Sequence, residues 1–185
     1  LFKLVKLWWI MGNLSTIYDI MQYGWSDKMN KTTRELALQA FIAAVYVVLT
    51  FFFQAFSVMP EQFRVSEFLL ILVLINPKNA LGIVLGTMLA NTFSAAGPID
   101  IVVGTFATYI ALQMMVRIKI KWLRYLAPAI SNGIIIGLML SALFEFPLYY
   151  SITSVFISES VVTFIPWLIF GDLIVKNKTL RRIFG

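Results

Sequence analysis

The chain has 185 residues, of which 60% are apolar, 13% charged and 15% aromatic, with a mean hydropathy of +0.86 and a formal charge of +6. Soluble domains run at about 45–50% apolar and about 25% charged, so a water-soluble globular fold is excluded. At about 20 residues per crossing the length holds at most six membrane spans and leaves no separate soluble catalytic domain. Cysteine and histidine are both absent, which removes disulfides, thiol chemistry, thiolate or imidazole metal sites and the Ser–His pair of an intramembrane protease.

Residues 1–28 differ in character from the rest of the chain. Leu1 to Met11 is a short apolar run carrying Lys3 and Lys6, and Gly12 to Asp27 is mixed and polar. The run is too short to span and supports an interfacial helix at most. Met29 opens Met-Asn-Lys-Thr-Thr-Arg-Glu just ahead of the first long apolar stretch, so residues 1–28 read as an N-terminal extension and the membrane domain as 29–185. The first span is predicted from Leu36 to Phe56, with Thr32 and Thr33 as candidate caps and Glu35 in the first turn. A polar stretch, Ser57 to Glu67, comes next.

The block from Phe68 to Asn91 reads either as one helix or as two short helices meeting at Asn76-Pro77-Lys78-Asn79. One helix would place a lysine and a helix-breaking proline near the bilayer centre, where a lysine costs roughly 2.5–3.5 kcal/mol. Two helices are therefore expected. Further spans run from about Ile99 to Val116, Trp122 to Phe144 and Ser154 to Val175, giving six.

Charge gives an independent check, because the two readings reverse the sidedness of everything downstream. With six spans and both termini cytoplasmic, Lys28, Lys31, Arg34, Lys78, Arg117, Lys119, Lys121, Arg124, Lys176, Lys178, Arg181 and Arg182 all face inward, and Arg64 alone faces out. Five spans would split the basic clusters between the two sides, against the positive-inside rule. The pattern also accounts for the net charge without nucleic acid. A second helix of roughly Val65 to Ile75 would cover about 17 Å of a core about 30 Å thick. Its outer half must then be completed by irregular backbone from Ser57 to Arg64, which membranes tolerate only around protein or a polar cavity. A binding pocket on the outer side, lidded by this loop, is the expectation.

Glu61, Glu67, Asp100, Glu145 and Glu159 fall at or near the outer face, and intramembrane carboxylates are costly and mark sites. Glu159 is placed about one turn into the sixth span, with Thr163 four residues on along the same face. Arg64 and Glu67 stand at i and i+3 and can pair on one helix face, either fixing the loop or offering a donor fork and an acceptor to a planar polar ligand. Asn91 can read donor and acceptor edges or bond another helix. Asn132, nearer the cytoplasmic half, reads as packing or coupling. Tyr149 and Tyr150 fall in the loop before the sixth span, as an interfacial belt or as stacking groups for a flat ligand. Ala40 and Ala44, Gly82 and Gly86, and Gly133 and Gly137 are small-xxx-small pairs that let helices approach closely, either within the bundle or on a partner. No phosphate-binding G-x-x-x-x-G-K-[ST] loop is present, so the chain does not hydrolyse ATP by that route.

The run Met-Asn-Lys-Thr-Thr-Arg-Glu, the alanine-rich first span ending Val47-Val48-Leu49-Thr50, the stretch Gln62-Phe63-Arg64-Val65-Ser66-Glu67 and the segment Gly82 to Asn91 together resemble the QueT family over roughly 29–176. These are substrate-binding S components of energy-coupling factor (ECF) vitamin transporters. The resemblance implies an all-α, six-helix bacterial membrane protein that captures a micronutrient from outside, needs no cofactor of its own, and docks on a transmembrane T component driven by two ATPases. It implies a docking face at Ala40 and Ala44. It further implies a queuosine precursor, a 7-deazaguanine with an aminomethyl group, for which the substrate-binding set would be Arg64, Glu67, Asn91, Tyr149, Glu159 and Thr163. Related S components carry thiamin precursors such as hydroxymethylpyrimidine, pyridoxine, folate and riboflavin. A stand-alone secondary transporter using Glu159 as a proton site, and a small membrane enzyme using the outer carboxylates, are the competing classes. The first would be supported by inverted repeats, and no internal repeat is visible.

Overall fold

The computed structural model describes residues 30–54, 63–94 and 96–185. The expected extension at 1–28 and residues 57–62 of the expected lid lie outside the described residues. The chain divides into two compact units, Leu1–Ala37 and Leu38–Gly185. In the first, the helix that opens at Lys31 is capped by Asn30, whose Oδ1 accepts from the Thr33 amide and from Thr33 Oγ1, both at 2.8 Å. The cap is thus Asn30 rather than Thr32 or Thr33. A short carbonyl side chain reaches the third amide of the first turn, and the threonine hydroxyl serves it as a second donor.

All regular structure among the described residues is helical. The elements are α1 (Lys31–Gln54), a 3-10 helix (Val65–Leu74), a 3-10 turn (Pro77–Asn79), α2 (Ala80–Asn91), α3 (Pro98–Arg117), α4 (Lys121–Phe144), α5 (Leu148–Glu159), a π-helical segment (Ser160–Phe164), α6 (Ile165–Lys176) and α7 (Lys178–Phe184). Among the described residues, four continuous helices are long and apolar enough to cross a membrane: Lys31–Phe53, Pro98–Arg117, Lys121–Phe144 and Leu148–Lys176. The Phe68–Asn91 block breaks where proline demands it. Asn76 is extended at φ −149°, ψ 120°, the conformation favoured ahead of a proline, and its side chain accepts from the Lys78 amide at 3.0 Å.

Two elements differ from expectation. Val65–Leu74 is wound as a 3-10 helix rather than an α-helix. At about 2.0 Å per residue its ten residues reach about 20 Å, further than an α-helix of the same length. Its three-residue turn stacks Glu67, Leu70 and Val73 in one row, and all three are buried. The last long helix begins at Leu148 rather than Ser154, with Pro147 just ahead of it. Leu148 to Thr153 therefore form its opening turns, and Tyr149 and Tyr150 are helical rather than loop residues.

The glycine pairs fix close packing inside the second unit. A Cβ on Gly82 would stand 2.6 Å from the Gln39 carbonyl, and one on Gly86 2.7 Å from Tyr46 Cβ, so α2 lies directly on the face of α1 that carries Gln39, Ile42, Ala43 and Tyr46. Gly133 and Gly137 admit Phe156 and Ile152 of α5 in the same way. Ala40 and Ala44 lie on the other face of α1 and are exposed, beside Val48 and Phe52. The main core gathers Ile42, Leu70, Ile71, Ile83, Leu112, Met115 and Trp167. Beneath it Asn79 is fully buried and donates from Nδ2 to the carbonyls of Leu72 and Phe184, both at 3.0 Å, which ties the chain's last helix to the Pro77 turn.

Candidate functional site

The apolar interior holds a group of polar side chains supplied by every long element. Arg64 caps the start of the 3-10 helix, and its guanidinium forks onto Asn91, the last residue of α2, and Asp100, in the first turn of α3. Nη2 meets Asp100 Oδ2 at 2.6 Å, and Nη1 donates to Asn91 Oδ1 at 2.8 Å. Asn91 in turn donates from Nδ2 to the Asp100 carbonyl at 2.9 Å. Asp100 is fully buried and Arg64 nearly so, which makes this a charge-assisted pair inside the protein. The geometry depends on Gly104: a Cβ there would overlap Asp100 Oδ1 and stand 2.7 Å from Asn91 Nδ2.

One 3-10 turn further in, Glu67 is 1% exposed. Its Oε1 accepts from Tyr46 OH at 2.5 Å and, at the 3.4 Å limit of hydrogen bonding, from Thr108 Oγ1. Neighbouring Ser66 accepts from Thr50 Oγ1 at 2.8 Å, so the 3-10 helix is bonded to α1 through two adjacent residues. Across the bundle Glu159 Oε1 accepts from Asn132 Nδ2 at 3.1 Å, and Glu159 stands within electrostatic reach of Glu67 and Arg64. Three acceptor atoms of this group are buried without a hydrogen-bond partner: Glu67 Oε2, Asp100 Oδ1 and Asn132 Oδ1. A buried polar atom left unpaired costs about 1–3 kcal/mol.

Of the residues singled out from sequence, the structure brings Arg64, Glu67, Asn91 and Glu159 into one neighbourhood. The guanidinium forks onto Asp100 and Asn91, whereas sequence spacing pointed to Glu67 as its partner. The i, i+3 argument sees only the local helix, and Asp100 lies 36 residues away. Glu159 sits mid-way along the continuous helix Leu148–Lys176, not one turn from its start. Thr163 is buried, but its hydroxyl donates to the Glu159 carbonyl at 2.8 Å and serves the helix backbone. Tyr149 is 77% exposed and about 15 Å along the helix from Glu159; it does not join the group. Asn132, read from sequence as packing or coupling, is the partner of Glu159. Sequence reading missed Tyr46, Thr108 and the pairing role of Asp100. A lone tyrosine on the face shared by Ile42 and Ala43 was the available signal for the first. Among the described residues no cluster of carboxylates could hold a metal ion.

The family profile described as "QueT transporter" matches residues 36–175. One curated relative, the "Queuosine precursor transporter QueT" of Lactococcus lactis subsp. cremoris (strain MG1363), is 34% identical over 84 residues, covering 44% of this chain and 49% of the relative. The chain thus spans about half the length of the curated relative it matches. No solved structure gives a significant match.

Proposed function

Because this chain belongs to the QueT transporter family and is a multi-pass protein of a bacterial membrane, we propose that it is the substrate-capture (S) subunit of an ECF-type importer. Its cargo in this reading is a queuosine precursor bearing an amine. The single observation that carries the reading is the buried group at Arg64, Glu67, Asn91, Asp100, Asn132 and Glu159. Three buried carboxylates, Glu67, Asp100 and Glu159, belong to this group with one guanidinium, which pairs with Asp100, and its three unpaired atoms are all acceptors. A ligand suited to it presents N–H donors and positive charge. A guanine-like edge with an aminomethyl group does both, whereas an anionic vitamin brings no positive charge.

In this reading the chain crosses the membrane six times. The 3-10 helix and α2 complete two crossings beside the four long helices, and both termini are cytoplasmic, as the basic residues require. Ala40 and Ala44, exposed on α1, form the face that meets the T component. In the same reading two partner ATPases supply the energy, and the sequence has no nucleotide loop of its own. The test is uptake of labelled 7-aminomethyl-7-deazaguanine into proteoliposomes. ATP-driven uptake that needs the T and ATPase subunits is the expected result, and uptake by the chain alone would replace this reading with a secondary transporter. Ala40→Trp or Ala44→Trp should abolish uptake and leave binding by the isolated subunit intact, because a large side chain blocks close helix approach. Loss of binding along with uptake would make these alanines packing residues instead.

A further inference from the structure

The helix Leu148–Lys176 is not uniformly wound. Ser160–Phe164 is π-helical, and the Ile165 amide donates to the Ser160 carbonyl five residues back. Two features of the sequence favour this. Pro166 has no amide to return to Val162 and its ring crowds that carbonyl. Upstream, Ser160 Oγ donates to the Phe156 carbonyl at 2.6 Å and Thr163 Oγ1 to the Glu159 carbonyl at 2.8 Å, so side chains serve backbone acceptors around the segment. π turns of this kind insert one extra residue into an α-helix.

The extra residue has a geometric purpose. The buried positions along this helix are Ser151, Val155, Ser158, Glu159, Val162, Thr163, Trp167 and Gly171. Their spacing is dominated by steps of four, and a regular helix turns about 100° per residue. Without interruption, Gly171 would lie about 200° round from Ser151, on nearly the opposite side. Yet both ends pack on α4. Ile152 and Phe156 fit against Gly137 and Gly133, while Trp167 stacks edge-on with Tyr125 at 6.0 Å and Gly171 gives room to the Tyr125 ring. One residue absorbed in the π turn brings the lower half back by about 100°.

We propose that the π turn is a register insert that aims the Glu159 carboxylate at Asn132 while α6 keeps its face on Tyr125. The functional weight of this rests on the reading of Glu159 as a ligand-binding group. The geometry can be tested apart from that reading, because the chain has no cysteine of its own. Two single-residue deletions are compared, Val161 inside the π turn and Ile157 just before Glu159, exposed at 43% and 56%. Deleting Val161 converts the π turn to α-helix and leaves every buried side chain on its face. Deleting Ile157 is also taken up at the π turn, but swings Glu159 by about 100° away from Asn132.

The readout is cross-linking of Asn132→Cys with Glu159→Cys by a short bis-methanethiosulfonate in the full chain. Gly133→Cys with Phe156→Cys checks the α4–α5 packing, since a Cβ on Gly133 stands 3.1 Å from Phe156 Cβ. Loss of Val161 should preserve both cross-links; loss of Ile157 should preserve the second and reduce the first at least about tenfold. A Val161 deletion that fails to fold or loses the Asn132–Glu159 cross-link overturns the proposal, and so does an Ile157 deletion that keeps it. Affinity for 7-aminomethyl-7-deazaguanine, measured in the two deletions without added cysteines, should track the first cross-link. Cross-links as expected with unchanged affinity in both would uphold the register insert and remove Glu159 from the binding site.

Discussion

Gly104→Ala gives a sharp test of the buried polar group, because helix propensity and the structure predict opposite signs. In a helix interior, alanine is favoured over glycine by about 1 kcal/mol, and Gly104 lies well inside Pro98–Arg117. Against this, a Cβ at position 104 would overlap Asp100 Oδ1 and stand 2.7 Å from Asn91 Nδ2, where ordinary contact begins at 3.4 Å. The amide and the carboxylate must each retreat by about 0.7 Å or more. Such a shift draws Asp100 off Arg64 Nη2, now at 2.6 Å, and strains the Asn91 bond to the Asp100 carbonyl. Breaking a buried ion pair costs about 3–5 kcal/mol, so the net expectation is a loss of about 2–4 kcal/mol. Equilibrium unfolding of the full chain in detergent measures it. An Asp100→Ala background removes the colliding carboxylate, so the two substitutions should be coupled by at least about 1.5 kcal/mol, as residues sharing one contact are. A Gly104→Ala protein as stable as the parent or more so, or strict additivity with Asp100→Ala, would refute the reasoning.

The same geometry sets three further outcomes. Tyr46→Phe keeps the ring but removes the 2.5 Å donor to Glu67 Oε1, leaving Thr108 at 3.4 Å; the same unfolding measurement should register a loss of about 1–3 kcal/mol, and a neutral result would mean that the hydroxyl carries no weight in the group. Glu67→Gln and Glu159→Gln should each weaken binding of 7-aminomethyl-7-deazaguanine at least tenfold, about 1.4 kcal/mol, by isothermal titration; unchanged affinity in both takes these carboxylates out of the site. Asn79→Ala frees the Leu72 and Phe184 carbonyls, so tryptic cleavage after Lys178, Arg181 and Arg182 should quicken about fivefold or more as the last helix opens locally. An unchanged cleavage rate would show that α7 is held by other contacts.

The parts of the fold governed by hydropathy and local backbone rules were readable from sequence. The apolar runs marked the four long helices, and Asn76-Pro77 marked the break, because a proline fixes its own φ and biases its predecessor whatever surrounds it. The winding of Val65–Leu74 was not readable. Nothing in so apolar a run, polar only at Ser66 and Glu67, separates a 3-10 from an α-helix until both ends are fixed by neighbours. The same holds for partners: Arg64 with Glu67 is what i, i+3 spacing offers, while Arg64 with Asp100 and Asn132 with Glu159 join residues 36 and 27 apart. The small-residue pairs were legible as close-approach signals, but spacing alone could not say which faced inward. Gly82, Gly86, Gly133 and Gly137 are filled by α1 and α5, and Ala40 and Ala44 are left outside.

The 3-10 helix also acts as a ruler. Its N-terminal end is pinned by the Arg64 fork and its C-terminal end by Asn79, which holds the Leu72 carbonyl. Ten residues wound as an α-helix would be about 5 Å shorter, and neither anchor could accommodate such a contraction without letting go. The distance from the Pro77 turn to the Arg64 guanidinium is therefore set by pitch as well as residue count. A change that re-coiled this strut would shift Glu67 along its axis relative to Tyr46, even with every side chain of the polar group still present.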